Sequence, residues 1–398
     1  MWLKKVLVFL FVAGAVSEQL EHKRENCSPV VFNLPVVASN LAFARNPSNT
    51  EASVQDFLVA LFTTPTSEFI TGTHPINSTF ALHGVYCTPQ IHNQHSNTLQ
   101  ILIHGITYNS TLWSGFHFGS QYSWQHHSTS HGYHTLAIDR LGHGLNSREL
   151  DPTLTIQTPL HVEAHHQLVS ALRCSSSSSS SSSSASHSRP TTALGKPNVP
   201  EGVGRCFHRI IMTGHSYGSA LIAAQARHYP SDADALILTG FSTYLSGTTT
   251  SLEFISASVH DPNRFRGVGY GYMNFKHKSD RDAFYLSGHY DERIAQVDWD
   301  TQDIVSTGEF ASSSAEILWG AAKGYKGNVV IVTGVYDKEF CKPTRKECEE
   351  ILKETGKTLF PDVKTVETLA VDETAHNWML HFQGGKVMER VHGIVGMW

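Results

Sequence analysis

The sequence predicts an α/β fold, and three observations carry that expectation. Short apolar runs read as buried strands at residues 99–103, 209–213, 235–240 and 328–334. Helical stretches accompany them at residues 161–172, after Ser216 and toward Val391. The chain is 398 residues long and 40% hydrophobic, enough to bury the core of one large α/β domain without requiring a second.

Taken in order, the chain opens on Lys4-Lys5 and an apolar stretch over residues 6–16 that ends in Ala15-Val16-Ser17. That is the pattern of a signal peptide over residues 1–17, too short to span a bilayer comfortably. Lys23-Arg24 follows as a dibasic pair, either a processing site or an exposed pair that is left uncut. No later segment reads as a membrane helix, so a soluble secreted protein is expected. Residues 18–92 form an amino-terminal extension with the first, antiparallel strands, of which 80–86 is the clearest; residues 54–62 read as a helix before it. Residues 175–184 are an unbroken serine run inside an insertion over 175–204 that lacks apolar surface and is expected to be disordered. An O-glycosylated loop and an inconsequential repeat expansion are its two readings. A second excursion, residues 241–320, separates the strand at 235–240 from that at 328–334. Its aromatic residues, among them Phe254, Phe275, Phe284 and Tyr285, either line a pocket or pack as its own core, and packing is the preferred reading.

The chemistry concentrates at Gly214-His215-Ser216-Tyr217-Gly218, where the strand at 209–213 turns sharply into a helix. This is a G-x-S-x-G nucleophile elbow, in which the glycines allow a strained serine and a tight strand-to-helix approach. A serine hydroxyl is a weak nucleophile, so it needs a base, a group that orients the base, and donors for an oxyanion. The base expected is His376, in Thr374-Ala375-His376-Asn377-Trp378, after a strand at 365–370. The carboxylate expected is Asp337, three residues past the strand at 328–334. The oxyanion donors expected are the backbone N–H groups of Ile106, after the strand that ends in His104-Gly105, and of Tyr217. The chain order is thus Ser, Asp, His, one of the known orders for such a triad.

Rivals exist, since the chain has 25 histidines. His381 competes with His376, and Asp372 and Glu339 compete with Asp337. His104 and His215 read as supporting groups. Asp139, in Ala137-Ile138-Asp139-Arg140-Leu141-Gly142-His143-Gly144, reads as tying its loop together through Arg140. Tyr108 and Trp113, close to the oxyanion loop, are expected to touch substrate.

These blocks resemble the α/β-hydrolases, and most of all the secreted fungal serine hydrolases of that superfamily. The residues that carry the likeness are His104-Gly105-Ile106-Thr107-Tyr108, the Asp139–Gly144 block above, the elbow, Gly334-Val335-Tyr336-Asp337 and Ala375-His376-Asn377, in the right order over residues 80–395. The resemblance implies a doubly wound, mostly parallel sheet with the active site at the carboxyl ends of its strands. It also implies a core in two halves, 93–240 and 321–398, with 241–320 as a small cap. Relatives with an aspartate nucleophile are excluded, because that position is Ser216.

A net charge of −5 and a pI near 6.6 give no basic footprint for nucleic acid. Six cysteines in an oxidising compartment can all pair. Cys341 with Cys348 would stiffen the loop after Asp337, and Cys174 with Cys206 would clip the insertion, leaving Cys27 with Cys87; free buried thiols are the alternative. Asn26, Asn77 and Asn109 begin N-x-S/T sequons, although a glycan on Asn109 would crowd the oxyanion loop. The function expected is a secreted serine hydrolase acting on a small-molecule carboxylic ester, with no metal or organic cofactor. A lipase, a small-peptide peptidase, a lactonase or a lyase using the same residues are the neighbouring readings. A catalytically silent secreted binding protein is the reading from another class.

Overall fold

The computed structural model describes residues 26–174, 202–246, 252–313 and 320–398. The signal segment, the Lys23-Arg24 pair and the serine run lie outside the described residues.

The first strands are β1 (Cys27–Phe43), β2 (Ile70–Cys87), β3 (Thr98–Ile103), β4 (His134–Ile138), β5 (Arg209–His215) and β6 (Ala235–Thr239). Three short strands follow within the cap, β7 (Phe254–Ser256), β8 (Tyr272–Phe275) and β9 (Val305–Ser306), and then β10 (Asn328–Gly334) and β11 (Val366–Val371). The central sheet has eight strands in the order β1-β2-β4-β3-β5-β6-β10-β11. All pairings from β4 to β11 are parallel, and β2 meets both β1 and β4 antiparallel. This is the doubly wound, mostly parallel α/β sheet that the sequence predicts.

The uninterrupted apolar runs of the parallel strands follow from burial on both faces. Successive side chains point to opposite sides of a strand. On β3, Leu99, Ile101 and Ile103 enter one core while Leu102 enters the other; on β10, Val329 and Ile331 divide in the same way from Val330 and Val332. The first core lies under helices Thr158–Leu172, Tyr217–His228 and Arg345–Leu359, and the second under Trp124–Ser130 and Gly384–Gly396.

The amino-terminal region is a long hairpin paired from Cys27↔Cys87 to Phe43↔Ile70, with one irregularity at Ala42/Phe43. Val30, Phe32, Leu34, Val36 and Ala38 alternate inward from β1. The sequence reading located only the 80–86 part of this hairpin. Pro29, Asn33, Pro35 and Asn40 interrupt the strand signal of β1, and β1 accommodates prolines because it is an edge strand. The segment between β1 and β2 holds helix Glu51–Thr63, which starts where the Thr50 side chain accepts from the Ser53 N–H and buries Val54 and Phe57. The cap carries its own antiparallel sheet, β7-β8-β9.

Three disulfides are formed, Cys27–Cys87, Cys174–Cys206 and Cys341–Cys348, as their positions suggest. Cys27–Cys87 fastens the open end of the hairpin across 60 residues of chain. Replacing both cysteines by Ala is expected to lower the unfolding free energy by about 2–5 kcal/mol, read as an earlier urea midpoint; an unchanged midpoint would show that the hairpin holds without its clasp.

Candidate active site

Parallel pairing brings the carboxyl ends of the central strands to one edge. Ile103 pairs with Gly214, His215 with Thr239 and Gly334 with Val371. The chain leaves each strand at that edge, so the loops carrying Ile106, Ser216, Asp337 and His376 gather there.

At the turn from β5 into the following helix Ser216 has φ 54° and ψ −121°, a region that a residue other than glycine occupies only under constraint. Its N–H donates to Thr239 O at 2.8 Å, which fixes the turn to β6. The flanking glycines meet each other: a Cβ on Gly214 would fall 2.5 Å from the Gly218 backbone, and one on Gly218 would collide with the carbonyl of Ile103. Helix Tyr217–His228 begins at once, so the Tyr217 N–H is a first-turn donor without an intrahelical acceptor.

His376 Nδ1 lies 2.9 Å from Asp337 Oδ2, and both side chains are buried. The other carboxylate oxygen accepts from the N–H groups of Glu339 at 3.0 Å and Phe340 at 3.1 Å. The carboxylate is thus held in place, and with Nδ1–H donating to it the basic nitrogen of the ring is Nε2. The imidazole sits between Phe284, 4.7 Å away between centroids, and Phe340, at 5.6 Å. Ser216, His376, Ile106 and Tyr217 all line one cavity of about 940 Å³.

The rivals have other employment. His381 is fully buried; its Nδ1 donates to Asn377 O at 2.9 Å and its Nε2 accepts from the Leu286 and Ala375 N–H groups at 3.0 and 3.3 Å. Burial pushes it down to about 4, and it clasps the loop that carries His376. Asp372 is exposed and pairs with Arg345. Glu339 lines the cavity, and its N–H serves Asp337.

The loop after β3 that carries Ile106 is gripped from both sides. Gly105 abuts Ser216, where a Cβ would stand 3.0 Å from Ser216 Cβ. Arg140 Nε donates to His104 O and Nη2 to Gly105 O, each at 3.1 Å. The N–H of Ile106 belongs to the same trans peptide as that Gly105 carbonyl and points the opposite way, so the guanidinium sets its direction. His104 joins in: its Nδ1 donates to Gly105 O at 2.8 Å and its Nε2 accepts from Arg140 N at 3.0 Å. Arg281, from the cap, donates to Thr107 Oγ1 and pairs with Asp298 at 2.6 Å. Arg140 pairs with Glu309, also from the cap and also fully buried.

The Glu309 carboxylate further meets His143 Nε2 and His161 Nε2 at 3.0 Å and accepts from the Ser306 N–H at 2.8 Å. Burial by itself would raise its pKa, but Arg140 and His143, with hydrogen bonds from both histidines, hold the carboxyl well below the usual range. His143, His161 and Glu309 offer ligand atoms within 4.8 Å of one another, the spacing of a metal site. The donor set fits a guanidinium better than a metal ion, because Arg140 Nη1 already engages the shared Glu309 oxygen and lies 3.3 Å from His161 Nε2.

Three sequence expectations are corrected here. Asp139 does tie its loop, but through the N–H groups of Ser110 at 2.8 Å and Leu145 at 2.9 Å, while Arg140 turns to Glu309. Tyr108 is not among the cavity residues: its hydroxyl accepts from Asn377 at 2.7 Å and donates to Asp298 at 3.2 Å, and Arg281 stacks 3.9 Å over its ring. Trp113 is fully buried against Trp124, 6.0 Å between centroids, likewise outside the lining. Position near the oxyanion loop does not decide which way a side chain points. Conversely, helix Glu51–Thr63 forms part of the cavity wall, contributing Leu58, Val59 and Phe62. Its helical pattern was legible, but its place over the cavity has no local signal.

Residues 100–380 match the alpha/beta hydrolase family. No curated protein matches the chain by sequence. The fold is similar to that of an esterase from Exiguobacterium antarcticum, at 12% identity over 80% of this chain and 96% of that one, TM-score 0.46. It is similar also to a thermophilic esterase from Thermogutta terrifontis, at 13% identity over 80% and 94%, TM-score 0.46. An epoxide hydrolase from Vigna radiata is similar at 11% identity over 80% and 95%, TM-score 0.45.

Because the folded Glu309 carboxyl titrates below its ordinary value of 4.5, the unfolded chain takes up that proton first. The stabilisation is complete above that pH and is lost as pH falls through the folded value. Glu309→Gln, which leaves Arg140 buried without its counter-charge, is expected to cost about 3–5 kcal/mol at neutral pH. It should also flatten the acid limb of stability in urea titrations run at successive pH values; an acid limb as steep as in the parent would contradict this account.

Proposed function

The chain belongs to the alpha/beta hydrolase family, and from that premise we propose that it is a secreted serine hydrolase that cleaves a carboxylic ester through an acyl-enzyme on Ser216. The observation that carries the reading is the buried His376–Asp337 hydrogen bond of 2.9 Å, on the rim of the one cavity that also holds the strained Ser216.

In this mechanism Ser216 Oγ attacks the acyl carbonyl while His376 Nε2 takes its proton. Asp337 keeps Nδ1 protonated and stabilises the imidazolium that forms. The N–H groups of Ile106 and Tyr217 receive the tetrahedral oxyanion; one such donor is typically worth about 10²–10³ in rate. The imidazolium then gives its proton to the leaving alkoxide. A water attacks the acyl-enzyme with His376 again as base, the imidazolium returns that proton to Ser216 Oγ as the acyl–oxygen bond breaks, and the carboxylic acid departs. The same residues serve a lipase, a lactonase or a small-peptide peptidase, and parallel assays with ester, lactone and peptide substrates separate these.

Secretion belongs to the proposal. It is supported by the signal-like segment, by the three disulfides and by exposed sequons at Asn26 and Asn77. Asn109 fits a glycan poorly, since its amide nitrogen donates to Asp303 at 3.1 Å. The likeness to secreted fungal members rests on the sequence blocks alone. Among the described residues no helix is long and apolar enough to cross a membrane.

A fluorophosphonate probe is expected to label the purified protein, and Ser216→Ala to abolish both labelling and ester hydrolysis. A folded protein that resists the probe would instead be a binding protein on this fold. Asp337→Asn is expected to keep the fold and lower kcat by about 10⁴, because the ring then takes the wrong tautomer; a kcat within tenfold of the parent would remove Asp337 from the mechanism.

A further inference from the structure

The cavity extends well beyond Ser216 and His376, and we propose that its outer part is a subsite for a long apolar chain of the ester substrate. The inference rests on the serine hydrolase reading of the same site and adds the substrate class. An apolar wall leads outward from the imidazole: Phe284 contacts His376 at 4.7 Å, Phe275 contacts Phe284 at 5.5 Å, and Phe254 contacts both Phe275 and Phe310 at 4.8 Å. Of these rings, Phe284, Phe254 and Phe310 line the cavity. Helix Glu51–Thr63 contributes Leu58, Val59 and Phe62 to the same lining, which Leu245 and Leu252 share.

Charged and polar groups on this wall are already engaged. Glu51 accepts from Gln55 Nε2 at 2.8 Å and from the Ser256 N–H at 3.1 Å, Gln55 donates to Phe254 O at 3.0 Å, and Glu253 pairs with Lys276 at 2.6 Å. A sugar or peptide lying along the wall would lose its hydrogen bonds to water and find few in exchange, at a cost for every unpaired group. A hydrocarbon chain loses nothing of that kind. Val59 and Phe62 are each 62% exposed and Leu245 51%, so apolar surface at the mouth waits to be covered. The volume of about 940 Å³ stands at the top of the range for small-ligand sites, far more than an acetyl ester fills.

Two substrate series test this, one lengthening the acyl chain of p-nitrophenyl esters from acetate to palmitate and one lengthening the alcohol of alkyl acetates. In the series whose chain occupies the wall, kcat/KM is expected to rise about three- to fourfold per methylene, the factor for withdrawing one CH₂ from water, until the wall is covered. The double variant Val59→Gln, Phe62→Gln alters two largely exposed positions, so its folding is not at issue. It is expected to cut the ratio of long-chain to acetate kcat/KM about tenfold. Turnover of short esters with no gain in either series, or a preference for aryl over alkyl groups, would overturn the inference and leave the hydrolase reading intact. A protein that neither turns over esters nor reacts with fluorophosphonate would defeat that reading instead. Titration of a fluorescent C16 fatty acid into Ser216→Ala then still decides the subsite: saturable binding weakened by the double variant supports it, and no binding refutes it.

Discussion

The candidate site depends on the loop after β3, which carries Ile106 and is held between two buried guanidinium groups whose counter-charges come from the cap. Arg140 holds the carbonyls of His104 and Gly105 and is answered by Glu309; Arg281 holds Thr107 and is answered by Asp298. Buried ion pairs contribute little net stability, since desolvation offsets most of their attraction, but the loss of either partner is severe. Their effect is to fix position. A loop of strained backbone, with Thr107 at φ 56°, keeps its peptide groups aimed one way because the carbonyls of His104, Gly105 and Thr107 each accept from a buried guanidinium.

It follows that the cap is not merely a roof. Asp298 gathers Arg281, Tyr285, Tyr108 and Asn377 around one carboxylate, and Asn377 follows the His376 ring directly in the chain. Burial and the Asp298 charge push the Tyr108 and Tyr285 hydroxyls well above their ordinary values, so both stay protonated donors. The cap, the loop that carries Tyr108 and the loop that carries His376 thus share one hydrogen-bonded cluster. The wall supplied by helix Glu51–Thr63 is attached differently, by Glu51 and Gln55 to the cap strand β7 and by the apolar residues Val54 and Phe57 to the interior.

Burial also sorts the many histidines. His381 and His392 are pushed down to about 4 and about 3 by desolvation, and in each both ring nitrogens have partners. His104 is treated in the same way at the start of the loop that carries Ile106. Such rings are neutral struts. His376 differs in having a carboxylate on one nitrogen and the cavity beside the ring, which is what the proposed role of general base requires.

What the sequence by itself determined is whatever local geometry writes into neighbouring residues. Strands buried on both faces must be apolar throughout, the turn at Ser216 must have small residues where Gly214 and Gly218 meet, and loops at the carboxyl ends of parallel strands must share an edge; the gathering of the Ser216, Asp337 and His376 loops at that edge was legible on those grounds. Tertiary structure alone decided the partners of Arg140 and Arg281, the inward turn of Tyr108 and Trp113, and the place of helix Glu51–Thr63 on the cavity wall. Arg140 and Glu309 are 169 residues apart, and no periodicity or spacing links a charge to a counter-charge at that range. Only the closing of the cap over the sheet brings the two together and removes the water that would otherwise screen them.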